Sequence, residues 1–123
     1  CQNCSTSGFH TAESAHIYLV SVRNTDDDVL FYKLGITNRD PEEVRIKEFE
    51  KAIHRIERYS NVTVHIEKTI PFETGREAKD LENALKEVDE IRCRVPEKFM
   101  GSTELFIVNP LNYACEIGIL NHL

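Results

Sequence analysis

Nothing in the 123 residues approaches the run of about 20 apolar residues that a membrane-spanning helix needs. No secretory leader is visible either, so the chain is expected to have no membrane partner and to work in the cytoplasm. An excess of cations is also missing: Lys and Arg number 15 against 21 Asp and Glu, a net charge of −6. Affinity for a phosphate backbone comes mainly from Lys and Arg, so this balance argues against indiscriminate nucleic-acid binding, although the placement of charge matters more than its sum. Cysteines number four, and at this length they do not indicate a secreted disulfide framework. There is no internal repeat and no low-complexity segment. What is present is a 41% hydrophobic content, enough for one core in one domain of ordinary size.

The chain begins at Cys1 rather than at a methionine, which sets the expectation of a piece of a longer protein or a processed product. Cys1 and Cys4 have the C-x-x-C spacing of a zinc knuckle. A structural Zn²⁺ site needs four ligands. His10 or His16 could complete it, or the partners lie upstream; two free thiols or a disulfide are the plainer readings. Residues 1–14 are therefore read as the remnant of an upstream zinc-binding segment or as a linker. Cys93 and Cys115 stand alone inside apparent structure and are read as core or half-buried thiols.

The elements follow from periodicity. "HIYLVSVR" (His16 to Arg23) and Val29 to Ile36 read as two strands joined by the polar turn "NTDDD", an antiparallel hairpin. Asp40, Pro41 and Glu43 mark a helix start, and Ile46, Phe49, Ile53 and Ile56 form the buried face of a helix expected to reach about Tyr59. From Val62 to Ile70 the chain alternates, with Val62, Val64, Ile66 and Ile70 expected on one face of a half-buried strand. Thr74 and Glu77 open a second helix with Ala78, Leu81, Leu85 and Val88 as its core stripe, ending near Arg92. A strand from Glu104 to Val108 follows, and Asn109-Pro110 starts a last helix. The order β-β-α-β-α-β-α gives an α+β fold (an α/β sandwich), a small antiparallel sheet that begins with a hairpin and is flanked by helices.

Two short stretches stand out. "HIYLV" contains Ile17-Tyr18, and "KLGIT" contains Lys33-Leu34-Gly35 followed by Thr37. Arg45 lies on the helix after them, Glu82 sits in "DLENALKEV", and "STELFIV" runs from Ser102 to Val108. In order and spacing these resemble the GIY-YIG nuclease superfamily, in its compact phage and bacterial branch with a K-x-G-x-T second motif. The resemblance covers roughly Ala15 to Asn112, within a domain of residues 15–123. His16 replaces the glycine of the first motif, and Lys33 replaces the second tyrosine. The resemblance implies a divalent-metal-dependent endonuclease acting on DNA, in a bacterial or phage-infected cytoplasm, with RNA left open as a substrate. It implies Tyr18, Lys33, Arg45 and Glu82 as catalytic residues, with Glu82 binding Mg²⁺ or Mn²⁺. It further implies Asn109 or Asn112 as the family's late asparagine. Such modules are often joined to a separate DNA-binding element, and the C-x-x-C resembles the remnant of one.

These residue types suit the chemistry. Phosphodiester hydrolysis needs a nucleophilic water, charge stabilisation on the phosphoryl oxygens and help for the leaving oxygen. Mg²⁺ prefers carboxylate and water oxygens, so one glutamate at the edge of a core stripe can hold it. Arg45 offers a fixed fork of donors to a phosphate. Tyr18 and Lys33 can face the same side of the hairpin, where the lysine holds a phosphate or supports the tyrosine as a proton acceptor. Gly35 is expected to let the backbone turn and a phosphate approach, beside Thr37. Lys47, Lys51 and "HRIERY" give the first helix a basic face for a phosphate backbone, diluted by Glu48, Glu50 and Glu57. His54 and His65 are read as surface groups. Each residue also has a plain alternative: Lys33 facing solvent, Tyr18 a core residue with a wet hydroxyl, Arg45 and Glu82 ordinary helix charges. A catalytically silent relative, binding nucleic acid or protein, is the other function class.

Overall fold

The computed structural model describes residues 10–38 and 45–120. Cys1, Cys4, Asp40, Pro41 and Glu43 lie outside the described residues. Four strands, β1 (Ala15–Arg23), β2 (Val29–Thr37), β3 (Thr63–Phe72) and β4 (Leu105–Phe106), form one antiparallel sheet in the order β3-β1-β2-β4. Three helices, α1 (Arg45–His54), α2 (Gly75–Lys86) and α3 (Pro110–Glu116), complete the α+β fold, with short 3₁₀ turns at Glu57–Tyr59 and Asp89–Ile91. Among the described residues no helix is long and apolar enough to cross a membrane.

β1 is central and both its faces are covered. Ala15, Ile17 and Leu19 point into a layer with Leu81, Leu85 and Leu111 of α2 and α3. Tyr18, Val20 and Val22 point the other way, against Ile46, Phe49 and Ile53 of α1. A strand buried on both sides reads as a continuous apolar run, which is what "IYLV" is. The hairpin turn is held by Asn24, whose side-chain oxygen accepts from the Asp26 and Asp28 amides at 2.9 Å each. Asp27 takes the left-handed conformation there (φ 67°).

Three boundaries differ from the sequence expectation. α1 stops at His54, because Ile56 is extended (φ −86°, ψ 123°) and the chain re-enters as the 3₁₀ turn that buries Tyr59 edge-on against Phe31, 5.5 Å between centroids. α2 stops at Lys86, and Val88 packs from beyond its end. β4 pairs with β2 at two positions only.

The fourth difference concerns β3. Its pairing with β1 steps from Leu19–Lys68 to Val20–Ile66, leaving Glu67 as an extra residue. A bulge of one residue exchanges the two faces of a strand. Val62 and Val64 accordingly pack in the α1 layer, while Ile70 and Phe72 pack in the α2 layer. Ile66 is largely exposed. The single face expected for Val62, Val64, Ile66 and Ile70 is thus two half-faces. Glu67 itself turns to accept from the Ser21 hydroxyl at 2.6 Å and from Arg23 at 2.9 Å.

Residues 10–14, read from sequence as the end of a linker, are tied to the domain. Asn38 accepts from the His10 amide and donates to the carbonyls of His10 and Ser14. The Gly75 and Arg76 amides, unpaired donors at the start of α2, donate to the Glu13 and Thr11 carbonyls.

Candidate active site

The register places Tyr18 opposite Gly35 and Val20 opposite Lys33, so Tyr18 and Lys33 are diagonal neighbours on the α1 face. Lys33 Nζ donates to the Tyr18 hydroxyl at 3.0 Å and lies 4.7 Å from its ring centroid. Gly35 does not end the strand, which continues to Thr37, and its φ is not positive. Its missing side chain instead makes room for Tyr18: a Cβ there would stand 2.3 Å from Cζ and 2.4 Å from the hydroxyl oxygen. The glycine is therefore a seat for the tyrosine ring rather than a turn, which corrects the sequence expectation.

Tyr18, Lys33, Gly35 and Arg45 line one cleft of about 240 Å³, closed by Phe49, Met100, Gly101 and Glu104. Gly101 has φ 91°, and a Cβ there would meet Lys33 Cε at 2.6 Å, so this loop residue packs directly on the lysine stem. Arg45 is half-buried, with Nη1 3.4 Å from Glu48 Oε1 on its own helix. Thr37 is buried near the end of β2, and Lys47 is exposed on α1. Asn109 and Asn112 are elsewhere: they line a separate hollow with Ile91, Val108 and Tyr113. Asn109 caps α3, accepting from the Leu111 and Asn112 amides at 3.0 and 3.1 Å. His54 donates to the Val62 carbonyl at 2.8 Å, and His65 pairs with Thr63 on the exposed side of β3.

Lys33 is only 3% exposed. Burial opposes its charge, but the Tyr18 oxygen and the Glu104 carboxylate, 3.2 Å away, outweigh that and raise its pKa, so it is an ammonium at neutral pH. Sequence alone names Glu104 only as the first residue of a short strand and gives it no role in the site. It lies just before the two paired residues of β4, where its carbonyl accepts from the Leu34 amide. There its side chain reaches both layers: Oε1 meets Lys33 and Oε2 stands 3.7 Å from Lys86 on α2. Arg92 fixes this corner, donating to the Lys86 carbonyl at the end of α2 and to the Thr103 carbonyl.

Glu82 does not line the cleft. It belongs to the buried stripe of α2, 1% exposed, with Oε1 held by Lys79 at 3.4 Å and Lys86 at 3.6 Å. Its Oε2 has no hydrogen-bond partner among the described residues. The i, i+3 and i, i+4 spacing of these lysines is legible in the sequence. The five charges and one hydroxyl thus form a chain from Tyr18 through Lys33, Glu104 and Lys86 to Glu82 and Lys79.

Burial, and then repulsion from Glu104, raise the Glu82 pKa against the opposing pull of Lys86 and Lys79. A carboxyl with a raised folded pKa binds more protons folded than unfolded. Its contribution is therefore full below its ordinary value of about 4.3 and is lost as pH rises through the folded value. With EDTA present, Glu82→Gln should become more stable relative to the parent as pH climbs through that window. Urea denaturation of both proteins from pH 4 to 8 checks it, and a constant difference would contradict it.

No family model, curated protein or solved structure matches this chain.

Proposed function

We propose that the chain is a divalent-metal-dependent endonuclease of the GIY-YIG type that hydrolyses phosphodiester bonds in DNA. In this reading it is the catalytic module of a larger protein whose DNA-binding part supplies most of the affinity, in the cytoplasm of a bacterium or a phage-infected cell. The observation that carries the reading is the meeting of Tyr18, Lys33 and Arg45, from three different elements, around one cleft.

The cleft residues suit the reaction. The Lys33 ammonium donates to the Tyr18 oxygen, which leaves the phenolic proton free to exchange with a water in the cleft. Arg45, which also lines the cleft, would hold a phosphoryl oxygen in this reading. Phe49 and Gly101 pack around Lys33 and keep its charge away from bulk water, where it acts more strongly on a phosphate. The carboxylate that the resemblance assigns to a hard cation is Glu82; its Oε2 is unpartnered among the described residues, but Lys79 and Lys86 already stand on Oε1 and would have to give way. A divalent cation held there would supply charge neutralisation for the phosphate.

The test is nicking of supercoiled plasmid with Mg²⁺ or Mn²⁺ against EDTA. Glu82→Gln, which keeps the buried volume, should abolish nicking in a protein that thermal melts show to be folded, and Tyr18→Phe should slow it by about 10²-fold or more. A second reading, a silent module that binds without cutting, is favoured by the burial of Lys33 and by the two lysines already on Glu82. In that case neither this chain nor a longer one carrying its upstream part nicks DNA with Mn²⁺.

A further inference from the structure

Glu104 is the one carboxylate among the described residues that line the cleft, where Lys33 and Arg45 supply the positive charge. Its Oε1 lies 3.2 Å from Lys33 Nζ. Around the same ammonium stand the Tyr18 hydroxyl at 3.0 Å, the Phe49 ring at 5.4 Å to its centroid, and Gly101 against the lysine stem. Tyr18 and Phe49 are buried and Gly101 has no side chain to move, whereas the Glu104 side chain is 25% exposed. At 3.2 Å the ion pair is also looser than a tight charge-assisted bond, about 2.7–2.9 Å. The other oxygen, Oε2, already stands 3.7 Å from Lys86 on α2, a second and more exposed cation.

We infer that Glu104 is an internal stand-in for a phosphate: its carboxylate occupies the anion position on Lys33, and a phosphoryl group entering the cleft must displace it towards Lys86. The inference rests on the endonuclease reading for the class of ligand, and adds to it the residue that guards the site. Carboxylate and phosphate oxygens accept the same charge-assisted bonds from an ammonium, so a position that holds one suits the other. Lys33 and Arg45 line the cleft and Lys86 flanks the Glu104 corner, so an incoming anion replaces Glu104 without leaving a buried ammonium bare. The displaced carboxylate moves onto a cation that it already approaches, and Lys79 beside Lys86 offsets its nearness to Glu82. Tyr18 keeps its bond to Lys33 in the exchange, which puts the phenol and the phosphoryl oxygen on one ammonium. A site whose open form is the minor one binds more weakly by that fraction. The guard therefore favours a ligand that engages Lys33 and Arg45 together over one that meets Lys33 alone.

Thermal melts of the 123-residue chain in inorganic phosphate and in chloride of equal ionic strength, both with EDTA, test this on the parent, Glu104→Gln, Glu104→Ala and Lys33→Met combined with Glu104→Ala. At about ten times its Kd, phosphate should raise the melting temperature of Glu104→Ala by roughly 5 °C. Calorimetric titration should find phosphate bound about tenfold or more tightly by Glu104→Gln and Glu104→Ala than by the parent. The double variant should not respond. Equal affinity in the parent and the Glu104 variants overturns the inference. So does a response of the double variant as large as that of Glu104→Ala, or no response in any protein. Should Glu104→Ala fail to fold in both buffers, Glu104→Gln, with and without Lys33→Met, decides by the same comparison. An oligonucleotide without terminal phosphates separates the sources of the ligand. The same order of affinities supports a backbone phosphate on Lys33, and a response to inorganic phosphate alone supports the stand-in with a free or terminal phosphate as its ligand. The two readings fail separately. A phosphate response of this pattern beside an uncut plasmid removes the endonuclease alone. Cutting by a chain whose phosphate affinity ignores Glu104 removes the stand-in alone.

Discussion

Gly35→Val should cost about 3 kcal/mol or more and lower the melting temperature by roughly 10 °C. The Cβ would fall 2.3 to 2.6 Å from two ring atoms and the hydroxyl oxygen of Tyr18, closer than any real contact. The ring has nowhere to go: Tyr18 is buried in the α1 layer, with Lys33 over its face. Overpacking of this kind is relieved by removing the opposing volume, so Tyr18→Ala combined with Gly35→Val should recover part of the loss. Thermal melts of the two single variants and the double variant settle it. A Gly35→Val protein that melts within a few degrees of the parent would mean that Tyr18 is not seated on the glycine.

Glu104→Ala should be the other severe change, at about 3 kcal/mol, because removing one partner of a buried pair leaves an uncompensated charge. Lys33 is enclosed by Tyr18, Phe49 and Gly101 and would keep only the Tyr18 hydroxyl. The reverse substitution, Lys33→Met, should cost less. Glu104 is 25% exposed and retains Lys86. Adding Lys33→Met to Glu104→Ala should therefore restore most of the stability. Urea denaturation of the three variants reads the cycle, and simple additivity of the two losses would show that the ion pair carries no special weight.

The elements whose signals are local were legible in the sequence. The hairpin, the Thr74 cap of α2, the Asn109-Pro110 start of α3 and the stripe Ala78, Leu81 and Leu85 all stand where the pattern puts them. The end of α1 was not legible, since Ile56 and Tyr59 keep an apolar spacing that a helix and a 3₁₀ turn satisfy equally. Nor was the bulge, because one inserted residue leaves the alternation of β3 unbroken when read as letters. The diagonal pairing of Tyr18 and Lys33 could be anticipated from two adjacent strands, but Glu104 could not. Its place depends on β4 starting only at Leu105 and on Arg92 holding the loop before it, both products of tertiary packing. Glu82 was read as bordering the stripe of α2; it is inside the stripe, and its two lysines make that burial tolerable.

The inserted Glu67 has a consequence for how the domain comes apart. β3 and the residue before it contribute Val64 and Val62 to one apolar layer, and β3 contributes Ile70 and Phe72 to the other, as β1 does with alternate residues. Neither layer owns a strand of its own. Fraying either helical face strips support from β1 and β3 together, so the two layers melt as one cooperative unit and the slowest amide exchange belongs to β1. The short β4 belongs to the same unit, because Leu105 and Phe106 are fully buried, one in each layer, so the corner bearing Glu104 opens only with it.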